Sequence, residues 1–342
     1  MKVGVVGGGW IAQSIVDAIS IHGADIVGLC EPDSARRDRW ASRGYRTYES
    51  MDDLLASTGP EVVFVLTPTS THAALTMQAL DAGVDVVVEK PLATSSVEAR
   101  EIVARAAGLR RHVLVEESYP WMPSHSAALA AISEGRVGRV TTIVHTFHGW
   151  QPRPERAAAV AAANTTGWRM TGGFPWLADH IVHLFALSKR LTGARSVTEP
   201  RALGGPTEDA LRGATWRCGH CEVVWVRATR GLEGVLGSAR GLHTKVIGTD
   251  GCLDVLGEGG SWGDSGPRDA LRFGDGTTLA VDDLPDLLWD ADVGYYPSAH
   301  RATVAAALGF LAGEATHPYL ASDAADDIDG TEAIIRSAQS RG

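Results

Sequence analysis

Three short stretches hold residues whose types and spacing could do chemistry. The first is VDVVVEKPLATS, residues 84–95, where an apolar run ends abruptly in Glu89-Lys90 and then Pro91. Burying charge is costly unless it is paired or used, so a carboxylate and an ammonium at a strand end need a reason. The second is Gly7-x-Gly9-x-x-Ala12, a pattern that lets backbone approach a phosphate at a helix N-terminus. The third is PWLADHIVHLF, where Asp179 and His183 stand four residues apart and share one helix face. A histidine titrates near neutrality and suits proton transfer. Trp176, three before Asp179, falls on nearly the same face and could wall a pocket. Cys218-Gly-His-Cys221 has metal-like spacing, but a four-ligand site needs a second pair, and a plain hairpin is expected there. Asp179, His180 and His183 spread too widely around their helix for one ion, so no metal is expected. His180 is expected to point elsewhere, as a packing or polar-contact residue.

The elements around these residues follow from apolar periodicity. KVGVV (2–6) reads as a strand, and residues 10–22 as an amphipathic helix stopped by Gly23. DIVGLCE (25–31), EVVFVLTP (61–68), VDVVVE (84–89) and HVLVEES (112–118) are four more apolar runs, separated by helical stretches. Continuous apolar strands alternating with helices mean a parallel sheet covered on both faces. Beyond Pro120 the order changes. A helix near 124–134 precedes the long strand RVTTIVHTFHG, and several strands with Gly-rich turns follow between 195 and 281. Helices near 175–192, 298–313 and 322–339 are expected to cover one face of that second sheet. The expected class is therefore α/β plus α+β. Residues 1–120 form a doubly wound Rossmann domain, and 121–342 an α+β domain on an open, mainly antiparallel sheet, for substrate binding and oligomerisation. The Ala-rich segment 151–167 has no clear apolar face.

At 342 residues the chain is too long for one ordinary core. Its net charge of −10, from 31 basic and 41 acidic residues, argues against nucleic acid or an anionic membrane as partner. The four cysteines suit a reducing cytoplasmic setting. No run is long and apolar enough to span a membrane, and a strand starting at Lys2 leaves no room for a signal peptide.

The glycine motif sits in the strand–turn–helix context of a dinucleotide fingerprint, with the acidic Glu31 ending the second strand 22 residues after Gly9. There a carboxylate would hold ribose hydroxyls and repel a 2′-phosphate, which favours NAD(H). NADP(H) is the alternative, because Arg36 and Arg37 follow closely.

With these features together, the chain resembles the glucose–fructose oxidoreductase / inositol dehydrogenase (Gfo/Idh/MocA) family nearly end to end. The matching blocks are GVVGGGWIA, TPTSTHAALTMQALDAGVDVVVEKPLA, YPWMPSHSAALAAISEGRVGRV, WRMTGGFPWLADHIVHLFALSKRLTG and VIGTDGCLDV. The resemblance implies that Trp10, Ile11 and Ala12 join Gly7 and Gly9 at the cofactor, and that Thr67, Pro68 and His72 line its cleft. It implies that Lys90 reaches towards nicotinamide and substrate and that Glu89 holds Lys90 or the nicotinamide ribose. Pro91 fixes the turn, with a peptide bond that is often cis in similar proteins. His72 read by itself is a helix-start histidine donating to a neighbour. In the GG…D…H motif, His183 would be the general acid/base and Asp179 would orient it or bind a substrate hydroxyl. Tyr119, Trp168, Arg169 and Trp176 are the further candidates for the pocket. Departures at Pro120, Phe174, Ile181 and Ala186 change the pocket's polarity more than its chemistry.

The expected activity is hydride transfer between NAD(P) and a secondary alcohol or ketone of a sugar, cyclitol or polyol-like substrate, in a cytoplasmic homodimer or homotetramer. Two rivals stay open. One is an NAD-retaining enzyme that eliminates or hydrolyses through transient oxidation, and the other a catalytically silent sensor.

Overall fold

The computed structural model describes residues 1–148, 175–207, 210–228, 241–255, 269–280, 297–314, 316 and 318–341. They fall into two compact units. One is Met1–Ser118 with Ala299–Ile328, the other Tyr119–Ser298 with Asp329–Gly342.

The first unit is built on β1 (Lys2–Val6), β2 (Asp25–Cys30), β3 (Thr47–Tyr48), β4 (Val62–Val65), β5 (Asp85–Glu89), β6 (Val113–Glu116) and β15 (Tyr319–Leu320). Their order across the sheet is β15-β6-β5-β4-β1-β2-β3. All pairs are parallel except β15 against β6. The helices of this unit are α1 (Trp10–Ile21), α2 (Ser34–Ser42), α3 (Met51–Thr58), α4 (Thr69–Asp81) and α5 (Ser96–Leu109). Strand residues alternate between two cores. Val3, Val5, Phe64, Val87 and Leu114 pack with Ala12, Ile15 and Ile19 of α1, while Val6, Val63, Val65, Val86 and Val88 pack with Leu80, Ala99 and Ile102 of α4 and α5. Side chains alternate across a strand, so a sheet buried on both faces needs unbroken apolar runs. The expected doubly wound parallel sheet is present. The short β3 and α3 lie between the second and third expected strands.

The second unit holds α6 (Pro123–Ser133), β7 (Val140–His148), α7 (Pro175–Thr192), β8 (Thr198–Gly204), β9 (Leu211–Cys218), β10 (Cys221–Ala228), β11 (Gly241–Gly248), β12 (Cys252–Val255), β13 (Asp269–Phe273) and β14 (Thr278–Ala280). Its sheet order is β14-β13-β12-β11-β7-β10-β9-β8, antiparallel apart from the β7–β10 pair. Cys218 and Cys221 stand opposite each other across the β9–β10 hairpin, as expected, and all four cysteines are free thiols. Burial pushes the Cys221 thiol up to about 11, an inert position for a sulfur.

Inside this unit His145 is fully buried, with Nε2 3.0 Å from Ser188 Oγ and Nδ1 2.8 Å from Thr244 Oγ1. Ser188 gives its one hydrogen to Leu184 O at 2.7 Å, so His145 donates from Nε2 and accepts at Nδ1. Burial lowers its pKa to about 3, which makes it a neutral core histidine.

The expectation that three late helices cover the second sheet needs correction. Only α7 packs wholly there. Helix α8 (Pro297–Leu311) puts Val304, Ala307 and Leu308 into the α1 core of the first sheet. Helix α9 (Ala321–Gln339) divides, with Ala321, Ala324, Ala325 and Ile328 in the α4–α5 core and Ile334 and Ala338 in the second unit's core. The first unit is therefore discontinuous in sequence, unlike a single break after residue 120. Among the described residues, no helix is long and apolar enough to cross a membrane.

Candidate active site

Chain order reverses direction between β1 and β4, and in such sheets ligands bind at the carboxyl ends beside that switch point. Register lines up what stands there. Val6 pairs with Cys30 on one side and Val65 on the other, Val65 with Val88, and Val88 with Val115. The next residue along each strand is Glu31, Gly7, Leu66, Glu89 and Glu116, a row across one edge. Neighbouring strands are ~4.8 Å apart, so Glu89-Lys90 emerges about 10 Å from the glycine loop.

Gly7 has φ 100°, and a Cβ there would fall 2.6 Å from Leu66 O, so no other residue fits. Gly9 stands before α1 in an extended conformation, a Cβ on it would meet only open space, and no side chain caps the helix. The first-turn N–H groups of Trp10, Ile11 and Ala12 therefore lack a side-chain acceptor from the N-cap residue. An anion fits that position. Trp10 is exposed and Ala12 buried against the sheet.

Between these glycines, Gly8 is held on both sides. Its N–H donates to Glu31 Oε2 at 2.9 Å, and its carbonyl accepts from Trp40 Nε1 at 2.9 Å. Glu31 is buried, and its Oε1 also accepts from Asp33 N–H at 2.9 Å. Each oxygen retains a lone pair for a ribose hydroxyl. Arg37 Nη1 donates to the carbonyls of Glu31 and Pro32, at 2.7 and 3.0 Å. Arg36 lies 3.8 Å from Glu31 and 3.7 Å from Asp33. Trp40 carries no motif and arrives from the end of α2; sequence reasoning missed it.

The Lys90–Pro91 bond is cis, with Lys90 half-buried and Pro91 buried. Thr67 and Pro68 form the turn into α4, and Pro68 is the helix N-cap. The Thr71 hydroxyl reaches Thr67 Oγ1 at 2.7 Å and Pro68 O at 2.8 Å. His72 is buried with both ring nitrogens on backbone carbonyls, so its part in this segment is played through Thr67 and Pro91. Beside Lys90, Glu116 is fully buried next to buried Glu117 and bonded to the Thr303 hydroxyl of α8. Burial, helped by the Glu117 charge, raises its pKa to about 8 against the pull of Thr303 and Lys90.

In the second unit, Asp179 and His183 are both nearly buried on α7. The His183 ring stacks on Tyr119, with centroids 4.0 Å apart and planes 14° from parallel. Tyr119 O accepts from buried His125 Nδ1, which fixes that ring's tautomer and anchors the short 3-10 turn Tyr119–Trp121. His180 is a polar-contact residue, as expected, but it does not point away from the pair: its Nδ1 lies 3.5 Å from Asp179 Oδ2, and its ring meets His183 edge-on at 6.5 Å. It belongs to the same cluster. Trp176 is on α7, while Trp168 and Arg169 lie outside the described residues.

Residues 1–117 match the family model described as the oxidoreductase family with an NAD-binding Rossmann fold, Gfo/Idh/MocA. An inositol 2-dehydrogenase of Rubrobacter xylanophilus is 33% identical over 174 residues, 49% of this chain and 47% of that protein. A 1,5-anhydro-D-fructose reductase of Ensifer adhaerens is 30% identical over 174 residues, 46% of this chain and 51% of that protein. The chain thus matches about half the length of these relatives. A crystal structure of an Agrobacterium radiobacter oxidoreductase with NAD+, L-tartaric acid and magnesium superposes with TM-score 0.76 at 19% identity, covering 99% of this chain and 96% of that one. That likeness is one of fold.

Proposed function

We propose, from the match of residues 1–117 to the Gfo/Idh/MocA oxidoreductase family model, that this protein interconverts a secondary alcohol and a ketone on a sugar, cyclitol or polyol-like substrate. One observation carries the reading. Along a single edge of the first sheet, the register sets an open glycine cradle, an acidic strand end and Lys90 two strands from the cradle. The named activities of the relatives, on inositol and on an anhydro sugar ketone, support the substrate class.

NAD, when bound, supplies the hydride acceptor or donor. Gly7, Gly9 and the first-turn N–H groups of Trp10, Ile11 and Ala12 hold its pyrophosphate. Glu31 accepts a ribose hydroxyl, and Thr67, Pro68 and Glu89 line the nicotinamide side. NAD(H) is favoured over NADP(H) because Glu31 repels a 2′-phosphate, while Arg37 is engaged by carbonyls and Arg36 by carboxylates. In oxidation His183 takes the substrate hydroxyl proton, its ring held flat by Tyr119. Lys90 donates a hydrogen bond to the same oxygen and stabilises the charge that develops there. Asp179, paired with His180, binds an adjacent hydroxyl. Tyr119, Trp168, Arg169 and Trp176 shape the pocket. A cytoplasmic homodimer or homotetramer completes the proposal.

The test begins with fluorescence titration of NADH and NADPH, then a sugar, cyclitol and polyol panel with the tighter cofactor. Lys90→Met and His183→Ala should each lower kcat by about a hundredfold or more. Full turnover in either variant overturns the assignment. Cofactor retained through purification, with no net change in nicotinamide absorbance, would favour elimination or hydrolysis. Binding without turnover on any substrate would favour a sensor.

A further inference from the structure

His72 lies one turn into α4, almost fully buried, with Nδ1 2.7 Å from Pro91 O and Nε2 2.8 Å from Thr67 O. Carbonyl oxygens only accept, so each contact calls for a hydrogen on the ring, and a neutral imidazole carries one. Burial, with the Lys90 charge adding to it, pulls the His72 pKa down, while the two carbonyls pull it up. The ring therefore stays between two acceptors that compete for it. The Thr67 contact is local and spans five residues; the Pro91 contact spans nineteen. It joins the turn after β4 to the turn after β5.

That second turn needs an anchor. The β5–β6 ladder ends at the Glu89–Glu116 pair, so Lys90 is the first residue past it. Pro91 has no N–H to give. A lysine is a point charge on a flexible four-carbon stem, and its aim depends on how firmly its root is held. The Thr67-Pro68 side of the connection is already rigid, closed by the Thr71 hydroxyl and by Thr71 N–H on Pro68 O at 2.9 Å.

We propose that His72 is the positioning residue for Lys90, holding the Lys90-Pro91 turn against the Thr67-Pro68 turn through Pro91 O. The inference rests on the reading of Lys90 as the group that meets the substrate oxygen. Both ring nitrogens of His72 lie on backbone carbonyls and the side chain is buried. It acts by fixing where the Lys90 backbone leaves the sheet.

Two measurements test it. Hydrogen exchange by mass spectrometry needs no substrate. His72→Phe, which keeps a ring and loses both contacts, should speed exchange at Leu92 and Ala93 about tenfold or more and leave the 113–116 strand unchanged. His72→Gln, whose amide can donate to Pro91 O, should restore part of the protection and folds independently of the Phe variant's fate. The second measurement is a double-mutant cycle with the substrate found above. His72→Phe should lower kcat about tenfold or more beside Lys90, and less than about twofold in the Lys90→Met background. Equal losses in both backgrounds, or unchanged exchange at Leu92 and Ala93, would overturn the proposal. Should no substrate turn over, the proposed activity fails while the exchange result still decides the role of His72.

Discussion

Glu116 shows how much a single buried carboxyl can be made to do by its neighbours. Thr303 Oγ1 has one hydrogen and two oxygens beside it, Glu116 Oε1 and His300 O, the latter at 3.1 Å. If that hydrogen goes to the carbonyl, Glu116 must bring its own proton, which agrees with a pKa raised to about 8 by burial. Glu89 stands directly opposite in the ladder, where a second like charge is unwelcome. The sign of the pH effect follows. The native state keeps the Glu116 proton up to about pH 8, while the unfolded chain releases it near its ordinary 4.5. Its contribution to stability is therefore whole below 4.5 and is lost as pH rises through 8. Glu116→Gln carries a donor and an acceptor without titrating. Relative to wild type, it should be neutral near pH 4.5 and increasingly stabilising as pH rises towards 8, by about 1.4 kcal/mol for each pH unit between the two pKa values. Urea melts at both pH values check this. A difference that does not grow with pH would mean the carboxyl is ionised throughout. None of this was legible in the sequence. Glu116 is one more residue in an apolar run, and Thr303 lies 187 residues away. What the sequence did carry, Gly7, Gly9, Glu31 and the Lys90 stretch, is local in the chain. The Tyr119–His183 stack and the Trp40 contact are not.

Elements position the cofactor cradle as much as its glycines do. The carbonyl of Gly8 is held by Trp40 at the end of α2, and a Cβ on Gly8 would fall 2.7 Å from that indole nitrogen. The helix and the loop are therefore fitted to each other. Asp33 starts α2 by accepting from Arg36 N–H at 2.8 Å, and Arg43 closes the far side over the Trp40 ring at 4.5 Å. Trp40→Phe keeps the ring packing and removes one buried hydrogen bond, which should cost about 1 kcal/mol of stability. It also frees the Gly8 peptide, so NADH affinity should fall severalfold beyond any change in melting temperature. Fluorescence titration beside a thermal melt separates the two, and unchanged affinity would show that Glu31 alone fixes the loop. Long periodic elements were readable here: α1, α4, α5 and the apolar strands all follow from spacing. Strand β3, at two residues, is too short to show a period. Helix α3 has its signals in Ser50, whose hydroxyl accepts from Asp53 N–H, and in the left-handed Gly59, but eight residues give little face to read.

At the scale of the whole molecule, the first unit is completed from the other end of the chain. Helices α8 and the start of α9 add Val304 and Leu308 to one core, Ile328 to the other, and the short β15 to the β6 edge. They also bring the polar partners of buried groups: Thr303 to Glu116, and His300 Nδ1 to Ser14 Oγ at 2.7 Å. Amphipathic periodicity shows that a helix needs a core without saying which, so these helices could be assigned to the wrong sheet from sequence. The physical consequence is that residues 1–118 are an incomplete domain, even though 1–117 match the family. Burying a large aliphatic side chain contributes about 1.5–3 kcal/mol. Losing Val304, Leu308 and Ile328 together therefore removes several kcal/mol, against roughly 5–15 kcal/mol for a whole domain. A chain ended after residue 298 should lose its cooperative melt in the first unit and bind NADH at least about tenfold more weakly, although every glycine and Glu31 is present. Wild-type affinity in that shortened chain would mean that the parallel sheet folds without its returning helices. A milder probe, Leu308→Ala in the full chain, should cost about 2–5 kcal/mol if the core closes over that side chain as described.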